Sequence, residues 1–391
     1  MKILVILSRI PWPLEKGDKL RAYHQIRCLS EKHEIILFAL NDNRKINEAE
    51  AKRQLAPYCT TIRFFNLHKI SILWNVAKAY FRGKPLQVGY FYSCRAKKAL
   101  FQLFAETKPD RVFCQLVRTA EYGKELPVPK TIDYQDTLSQ GILRREQQAP
   151  SLFKPFFRIE HKRLQQYEYE VFDLFDHKTI ISKPDKDLLT HPRKEEVVII
   201  PNGVEHEYFK PVVKEKKYDL IFNGNMSYPP NINAAKLLAK KILPLVHQTL
   251  PETTLLLSGA QPHEQVKMLQ NEKITVSGWV DDIRENYAMS RVFVAPMQIG
   301  TGLQNKLLEA MSMKIPCITS DLANASLGAK PETEVLIGNT PETFAQHIIH
   351  LLTNPQAAES LSENGHQFVL NTFDWKKATE ILETCIITDQ K

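Results

Sequence analysis

The chain has 391 residues, 43% of them apolar, and a net charge of +8. That length exceeds what one hydrophobic core usually covers, so two domains of similar size are expected. No run approaches the about 18 apolar residues a membrane span needs, the leading Ile3–Leu7 run is too short for a signal-peptide core, and the six cysteines lack Cys-x-x-Cys spacing or His pairing. These features exclude a membrane-spanning protein, a disulfide framework and a structural zinc, and they fit a cytoplasmic protein with reduced, mostly buried thiols.

Apolar strand candidates alternate with helical patterns along the whole chain, which is the signature of parallel α/β layers. The first set comprises residues 3–7, 34–40, 62–65, 111–115, 130–133 and 177–181. After the first strand a proline-rich turn leads to Gly17 and a helix over 18–30. Gly17 lets the backbone approach a ligand; Asp18, Lys19 and Arg21 would stand at a cleft mouth, where the planar fork of Arg21 suits a phosphate or an acceptor.

From Ala51 to Ala105 there are ten Lys or Arg and no Asp or Glu. Within it Ile70, Leu73, Trp74, Ala77 and Phe81 recur at helical spacing, with Lys69, Lys78, Arg82 and Lys84 close by. Such a segment would make peripheral contact with an anionic membrane, or else be an ordinary amphipathic helix with a solvated basic face. Asp133 and Asp136 follow a strand and would either point into the cleft or cap the next helix. Glu168 and Glu170 fall on a long charged helix and are expected in solvent. No recognisable RNA- or DNA-binding motif is present.

The basic stretch 183–196 and the loop 201–217 mark a boundary, and the charge changes sign across it: residues 1–200 carry 35 Lys and Arg against 23 Asp and Glu, and residues 201–391 carry 17 against 21. The second strand set is 197–200, 218–222, 253–258, 273–276, 291–295 and 315–319. The strand 291–295 runs into Gly300-Thr301-Gly302-Leu303-Gln304-Asn305-Lys306, which places a glycine turn, a lysine and then Glu309 on the opening turns of one helix. A helix beginning near Gly302 would aim free N–H groups and its positive dipole end at a phosphate. Lys306 would neutralise that phosphate while Glu309 accepts hydrogen bonds from hydroxyls. The competing reading makes the two an exposed i,i+3 ion pair.

Gly-x-x-x-Lys-x-Leu-Glu-Ala-Met, followed by Ile315-Pro316-Cys317-Ile318-Thr319, resembles the donor-site helix of retaining glycosyltransferases of family 4. The resemblance extends through Ile200-Pro201-Asn202-Gly203-Val204, Phe222-Asn223-Gly224-Asn225-Met226 with Pro230-Asn231, and Ser277-Gly278-Trp279-Val280-Asp281, while the opening Pro11–Arg21 is similar to a bacterial subgroup linked to exopolysaccharide synthesis. It implies a GT-B fold: two doubly wound Rossmann-like α/β domains facing a cleft, residues 1–196 on the acceptor side, 197–371 on the nucleotide-sugar side, and a helix within 372–391 returning to the first domain. It further implies that Gly17, Gly224, Asn225, Val280, Thr301, Gly302, Leu303, Gln304, Asn305, Lys306 and Glu309 meet the donor, with Lys306, Glu309 and Asp136 as the catalytic set and Asp18, Arg21 and Asp133 toward the acceptor. The family's first glutamate is replaced here by Thr301.

The expected activity is retaining transfer of a sugar from a nucleoside diphosphate to a glycan or lipid-linked acceptor, with no metal and no cofactor besides the nucleotide-sugar co-substrate. A nicotinamide-dependent oxidoreductase is the alternative enzyme, since Gly300-x-Gly302-x-x-Asn305 after a strand nearly copies the dinucleotide fingerprint. Its third glycine is missing, and a lysine one turn into the helix has no place in it. A non-catalytic basic membrane-binding protein would explain residues 51–105 but leave Gly302, Lys306 and Glu309 without a purpose.

Overall fold

The computed structural model describes residues 1–43, 45–299 and 302–388, and the chain divides into two compact units, Met1–Pro201 with Trp375–Lys391, and Asn202–Asp374. Each unit is built on one parallel sheet. In the first, β1 (Lys2–Leu7), β2 (Glu34–Asn41), β3 (Thr61–Asn66), β4 (Arg111–Gln115), β5 (Lys130–Asp133), β6 (His177–Ile180) and β7 (Val198–Ile199) lie in the order β3-β2-β1-β4-β5-β6-β7. Ile3 to Leu7 are buried on both faces of the sheet, which is why the run is continuously apolar and not alternating. β1 pairs with β2 through Ile3↔Ile35 and with β4 through Ile3↔Arg111.

Residues 197–200 were expected to open the second sheet. They close the first instead: Thr179 pairs with Val198, and the Ile200 N–H donates to the Ile180 carbonyl at 2.7 Å. The edge of β6 needed a partner, and a short apolar segment reaches it before the chain leaves the unit. The helix Trp375–Ile387 also belongs to this unit, where Ala378, Leu382 and Ile386 join the apolar cluster of Val5, Ile26 and Phe113. The Trp375 ring stacks on His24 with centroids 4.7 Å apart, and Glu383 takes Lys32 at 2.9 Å and His33 at 3.0 Å.

In the second unit β8 (Tyr218–Asn223), β9 (Leu255–Ser258), β10 (Ile274–Gly278), β11 (Ser290–Ala295), β12 (Cys317–Thr319) and β13 (Leu336–Ile337) lie in the order β10-β9-β8-β11-β12-β13. The two-residue β13 was not anticipated, because so short a run carries no period-2 signal. Among the described residues no helix is long and apolar enough to cross a membrane. All six cysteines are free thiols; Cys114, Cys317 and Cys385 are buried, Cys28 and Cys59 half-buried and Cys94 exposed.

Candidate functional site

β8 and β11 are neighbours at the point where the strand order of the second sheet reverses, which is where parallel α/β sheets take ligands beyond their carboxyl ends. Three glycine loops leave that edge. Gly224, after β8, has φ +151°, and its N–H donates to the Ser258 carbonyl at 3.1 Å. Gly259, after β9, has φ +138°, and a Cβ there would lie 1.8 Å from the Gly224 carbonyl oxygen, so only glycine fits. The Gly259 N–H in turn donates to the Gly278 carbonyl at 3.0 Å, which ties in the loop after β10. On that loop Val280 is half-buried and Trp279 exposed.

The helix after β11 runs over Asn305–Ser312 and begins three residues later than expected. Gln304 precedes it in extended geometry and folds its side-chain amide back onto the Gly302 carbonyl at 2.9 Å, so Gly302 to Gln304 form a turn of their own. Lys306 is therefore the second helical residue and not one turn in. Gly302 has open space where a Cβ would be, Leu303 packs on the apolar core, and Asn305 Oδ1 accepts from Asn202 Nδ2 at 3.1 Å. Thr301, together with Gly300, lies outside the described residues.

Lys306 and Glu309 do not form the surface ion pair of the competing reading; each is half-buried and takes its own partner. Lys306 Nζ donates to Asn231 Oδ1 at 2.6 Å and sits 4.6 Å from the centre of the Phe222 ring. It is also 3.0 Å from the place a Gly224 Cβ would take, so the missing side chain leaves the ammonium facing the glycine loop. Asn231 Nδ2 donates to the Asn225 carbonyl at 2.9 Å. Asn225 itself is exposed, and its Oδ1 accepts from the Ser227 N–H and hydroxyl, so its side chain braces its own turn.

Behind Lys306, the Tyr287 hydroxyl donates to Glu309 Oε2 at 2.9 Å. Burial lowers Lys306 to about 7, against the pull of the Glu309 charge. Burial likewise raises Glu309 to about 7, opposed by the Tyr287 hydroxyl, the Lys306 charge and Asn223. Two opposite groups whose charges are each disfavoured by their surroundings make a site that gains when a ligand supplies the missing counter-charge. Asn231 was quoted with Pro230 in the phosphate-side loop of the family resemblance but was not named among the site residues, and nothing about Tyr287 in the sequence separates it from an ordinary core tyrosine.

In the first unit the expected cluster does not hold together. Arg21 was expected at a cleft mouth and Asp133 in the cleft or capping a helix, yet both are wholly buried and bound to each other, Arg21 Nε to Asp133 Oδ2 at 2.6 Å and a terminal guanidinium nitrogen to Oδ1 at 3.2 Å. Thr179 Oγ1 adds a third hydrogen bond to Asp133 at 2.9 Å. The bidentate fork that suits Arg21 to a phosphate is here filled by a carboxylate from another element. Asp18 is half-buried and paired with Arg9 at 2.7 Å, and Gly17, the exposed first residue of the helix Gly17–Leu29, has open space around it. Asp136 is exposed beyond β5; crowding by protein, then Asp185, push its carboxyl up to about 6, a rise that solvent access limits. Glu168, expected in solvent, is buried and accepts from the Ser139 N–H at 3.0 Å, where it braces the first turn of the helix Leu138–Gln148.

Residues 217–354, which span the three glycine loops and the Lys306 helix, match the family model described as "Glycosyl transferases group 1". An uncharacterised 44.6 kDa protein in the cps region of Klebsiella pneumoniae is 22% identical over 96% of this chain and 97% of its own length. The Escherichia coli UDP-Gal:alpha-D-GlcNAc-diphosphoundecaprenol alpha-1,3-galactosyltransferase is 22% identical over 52% of this chain and 56% of its own. Among solved structures, sucrose-phosphate synthase from Thermosynechococcus elongatus superposes with a TM-score of 0.72 at 15% identity, covering 98% of both chains. Anabaena HepE in complex with UDP and glucose gives 0.68 at 14% identity, covering 98% of this chain and 99% of its own. At such identities the superpositions speak for the fold.

Proposed function

We propose, from the premise that residues 217–354 form a group 1 glycosyltransferase domain within a GT-B fold, that the chain moves a hexose from a nucleoside diphosphate to a glycan or lipid-linked acceptor in cell-surface polysaccharide assembly. The observation that carries this reading is the Lys306 ammonium, held on Asn231 and turned to the glycine loop at 224. The diphosphate would rest between that loop and the first turn of the Lys306 helix, whose N–H groups and dipole favour an anion. As the bond between sugar and phosphate breaks, negative charge builds on the diphosphate. Lys306 is already in position to meet it, the work a divalent cation does in other transferases, and on that ground we propose transfer without a metal.

Glu309, held by the Tyr287 hydroxyl and by Asn223, would accept from a hydroxyl of the nucleotide ribose. Val280 and the loop after β10 would border the base, and Gly302 to Asn305 the sugar and phosphates. Attack from the face that the diphosphate leaves would retain the anomeric configuration. Asp136, exposed at the edge of the first sheet, would contact the acceptor, as would Asp18 and the backbone at Gly17. Arg21 and Asp133 serve that edge by bracing it. The galactosyltransferase from Escherichia coli is named for a diphosphoundecaprenol acceptor, which supports a lipid-linked acceptor here and work on the cytoplasmic face of a membrane. A thermal-shift screen against nucleotide sugars tests the donor assignment, because a ligand that binds only the folded chain raises its melting point. The proposal expects one base to stabilise the wild type and not Lys306→Ala.

A further inference from the structure

The helix Lys69–Phe81 carries two apolar stripes, and the larger one faces out. Ile70, Leu73, Trp74 and Phe81 are 75%, 71%, 74% and 86% exposed. Their spacing, with Ala77 between, aligns them along one side of the helix. The smaller stripe, Ile72, Val76 and Ala79, anchors the helix to the body of the first unit. There Gly89 comes so close that a Cβ would stand 2.5 Å from that of Ala79, and Asn75 Nδ2 donates to the Tyr92 carbonyl at 2.7 Å. A rigid helix therefore displays bulky apolar side chains.

A second element extends the patch. Leu152 is 84% exposed, and Phe153, Phe156 and Ile159 follow it, all exposed, into the helix Lys154–Phe172. The two elements abut, since Tyr80, Leu86, Phe156 and Ile159 line a shared groove of about 200 Å³ with Glu160 and Arg163. The Arg163 guanidinium lies 5.0 Å from the centre of the Tyr80 ring, and the Glu160 carboxylate accepts from the Leu86 N–H at 2.8 Å. Exposed apolar area of this extent on a monomer marks a surface that another phase or molecule covers.

The charges around the patch identify the cover. Lys69, Lys78, Arg82 and Lys162 are exposed beside it, whereas Glu160 is turned inward and Glu146 is held by Arg158 at 2.8 Å. Lys84, counted with the basic group in the sequence, is paired with Glu121 at 3.4 Å and leaves that ring. Protein interfaces are depleted of lysine, whereas anionic headgroups attract it. We infer that this face docks on an anionic lipid bilayer, with Leu73, Trp74, Phe81 and Leu152 entering the headgroup layer and Lys69, Lys78 and Arg82 against lipid phosphates. The sequence pointed to residues 51–105 for such a contact; the start of the helix Lys154–Phe172 is a second half it did not show. The inference stands on the first unit alone and does not depend on the transferase reading.

Sedimentation of the full chain with vesicles rich in phosphatidylglycerol, and with neutral phosphatidylcholine vesicles, tests it. Binding should be selective for the anionic vesicles and weaken as salt rises. The double variants Leu73→Ser/Trp74→Ser and Leu152→Ser/Phe153→Ser should each lower the partition coefficient by roughly tenfold or more, and Lys69→Ser/Lys78→Ser/Arg82→Ser should abolish the preference for anionic lipid. Far-ultraviolet circular dichroism and the melting point confirm that each variant is folded. Absence of wild-type binding, equal binding to both vesicles, or an unchanged Leu152→Ser/Phe153→Ser variant overturns the inference. So does a lipid-free wild-type dimer that these variants dissociate, because the patch would then belong to a second copy of the chain.

Discussion

The affinity for a nucleoside diphosphate should fall as pH rises above neutrality, and Lys306 should be the cause. In the free site Lys306 titrates near about 7 because burial disfavours its charge. A bound diphosphate supplies the opposite charge and returns it toward the ordinary lysine value of about 10.4. Binding therefore requires a proton that the free protein holds below its pKa and loses above it. Between pH 7.5 and 9 the protonated fraction of the free site drops about 25-fold, roughly 1.9 kcal/mol at 1.36 kcal/mol per unit. This is an upper figure, since solvent reaches the half-buried ammonium. The terminal phosphate is already ionised over this range and adds no slope of its own.

Titration calorimetry with the diphosphate that the thermal screen selects, run at several pH values and in two buffers of different ionisation enthalpy, reads both the slope and the proton uptake. Lys306→Met should bind weakly and without the slope; Lys306→Arg should keep whatever affinity it has across the range, because its guanidinium stays charged. A flat wild-type profile from pH 7.5 to 9, or a slope that persists in Lys306→Met, refutes the reasoning.

Lys306→Met should also raise the melting point at pH 7.5. The unfolded chain holds the Lys306 proton there and the folded site partly gives it up, so the lysine costs stability at pH 7.5; the cost is full below about 7 and fades as pH rises toward about 10.4. A lower melting point would show that Lys306 supports the fold. Glu309→Gln keeps the Tyr287 hydrogen bond but removes the charge, and calorimetry should show nucleoside diphosphate affinity down by about tenfold with acceptor KM unchanged. Gly259→Ala drives a Cβ into the Gly224 carbonyl, so it should abolish donor binding while circular dichroism of the first unit's elements persists. Arg21→Met leaves Asp133 buried without its counter-charge and should cost about 3–5 kcal/mol in chemical denaturation; a stable variant with only a changed acceptor KM would return Arg21 to the ligand.

The placement of Lys306 and Glu309 together on one helix after a glycine turn was legible in their spacing. Their pairing with Asn231 and Tyr287 was not, since these arrive from elements 75 and 22 residues away. The same blindness misled the reading of Arg21 and Asp133, which are 112 residues apart and neutralise each other inside the fold. A lone arginine beside a glycine looks like a phosphate ligand until its carboxylate is found. Helical periodicity located the helix Lys69–Phe81 but could not say which of its two apolar stripes faces inward; that depends on Gly89, which lets only the smaller stripe pack closely. Strand positions were legible except at β13, where two residues of pairing carry no pattern; the strand at 197–200 was located but put in the wrong sheet, because its partner β6 lies in the first unit.

The central claim is that Lys306 stabilises a departing nucleoside diphosphate. Its most direct test follows nucleotide release and sugar transfer by wild type and Lys306→Ala from a panel of nucleotide sugars, with the product's anomeric configuration read by nuclear magnetic resonance. The account predicts that the wild type consumes one donor with retention, and that Lys306→Ala is folded but slower by about ten- to a hundredfold or more. Wild-type turnover by Lys306→Ala would contradict it.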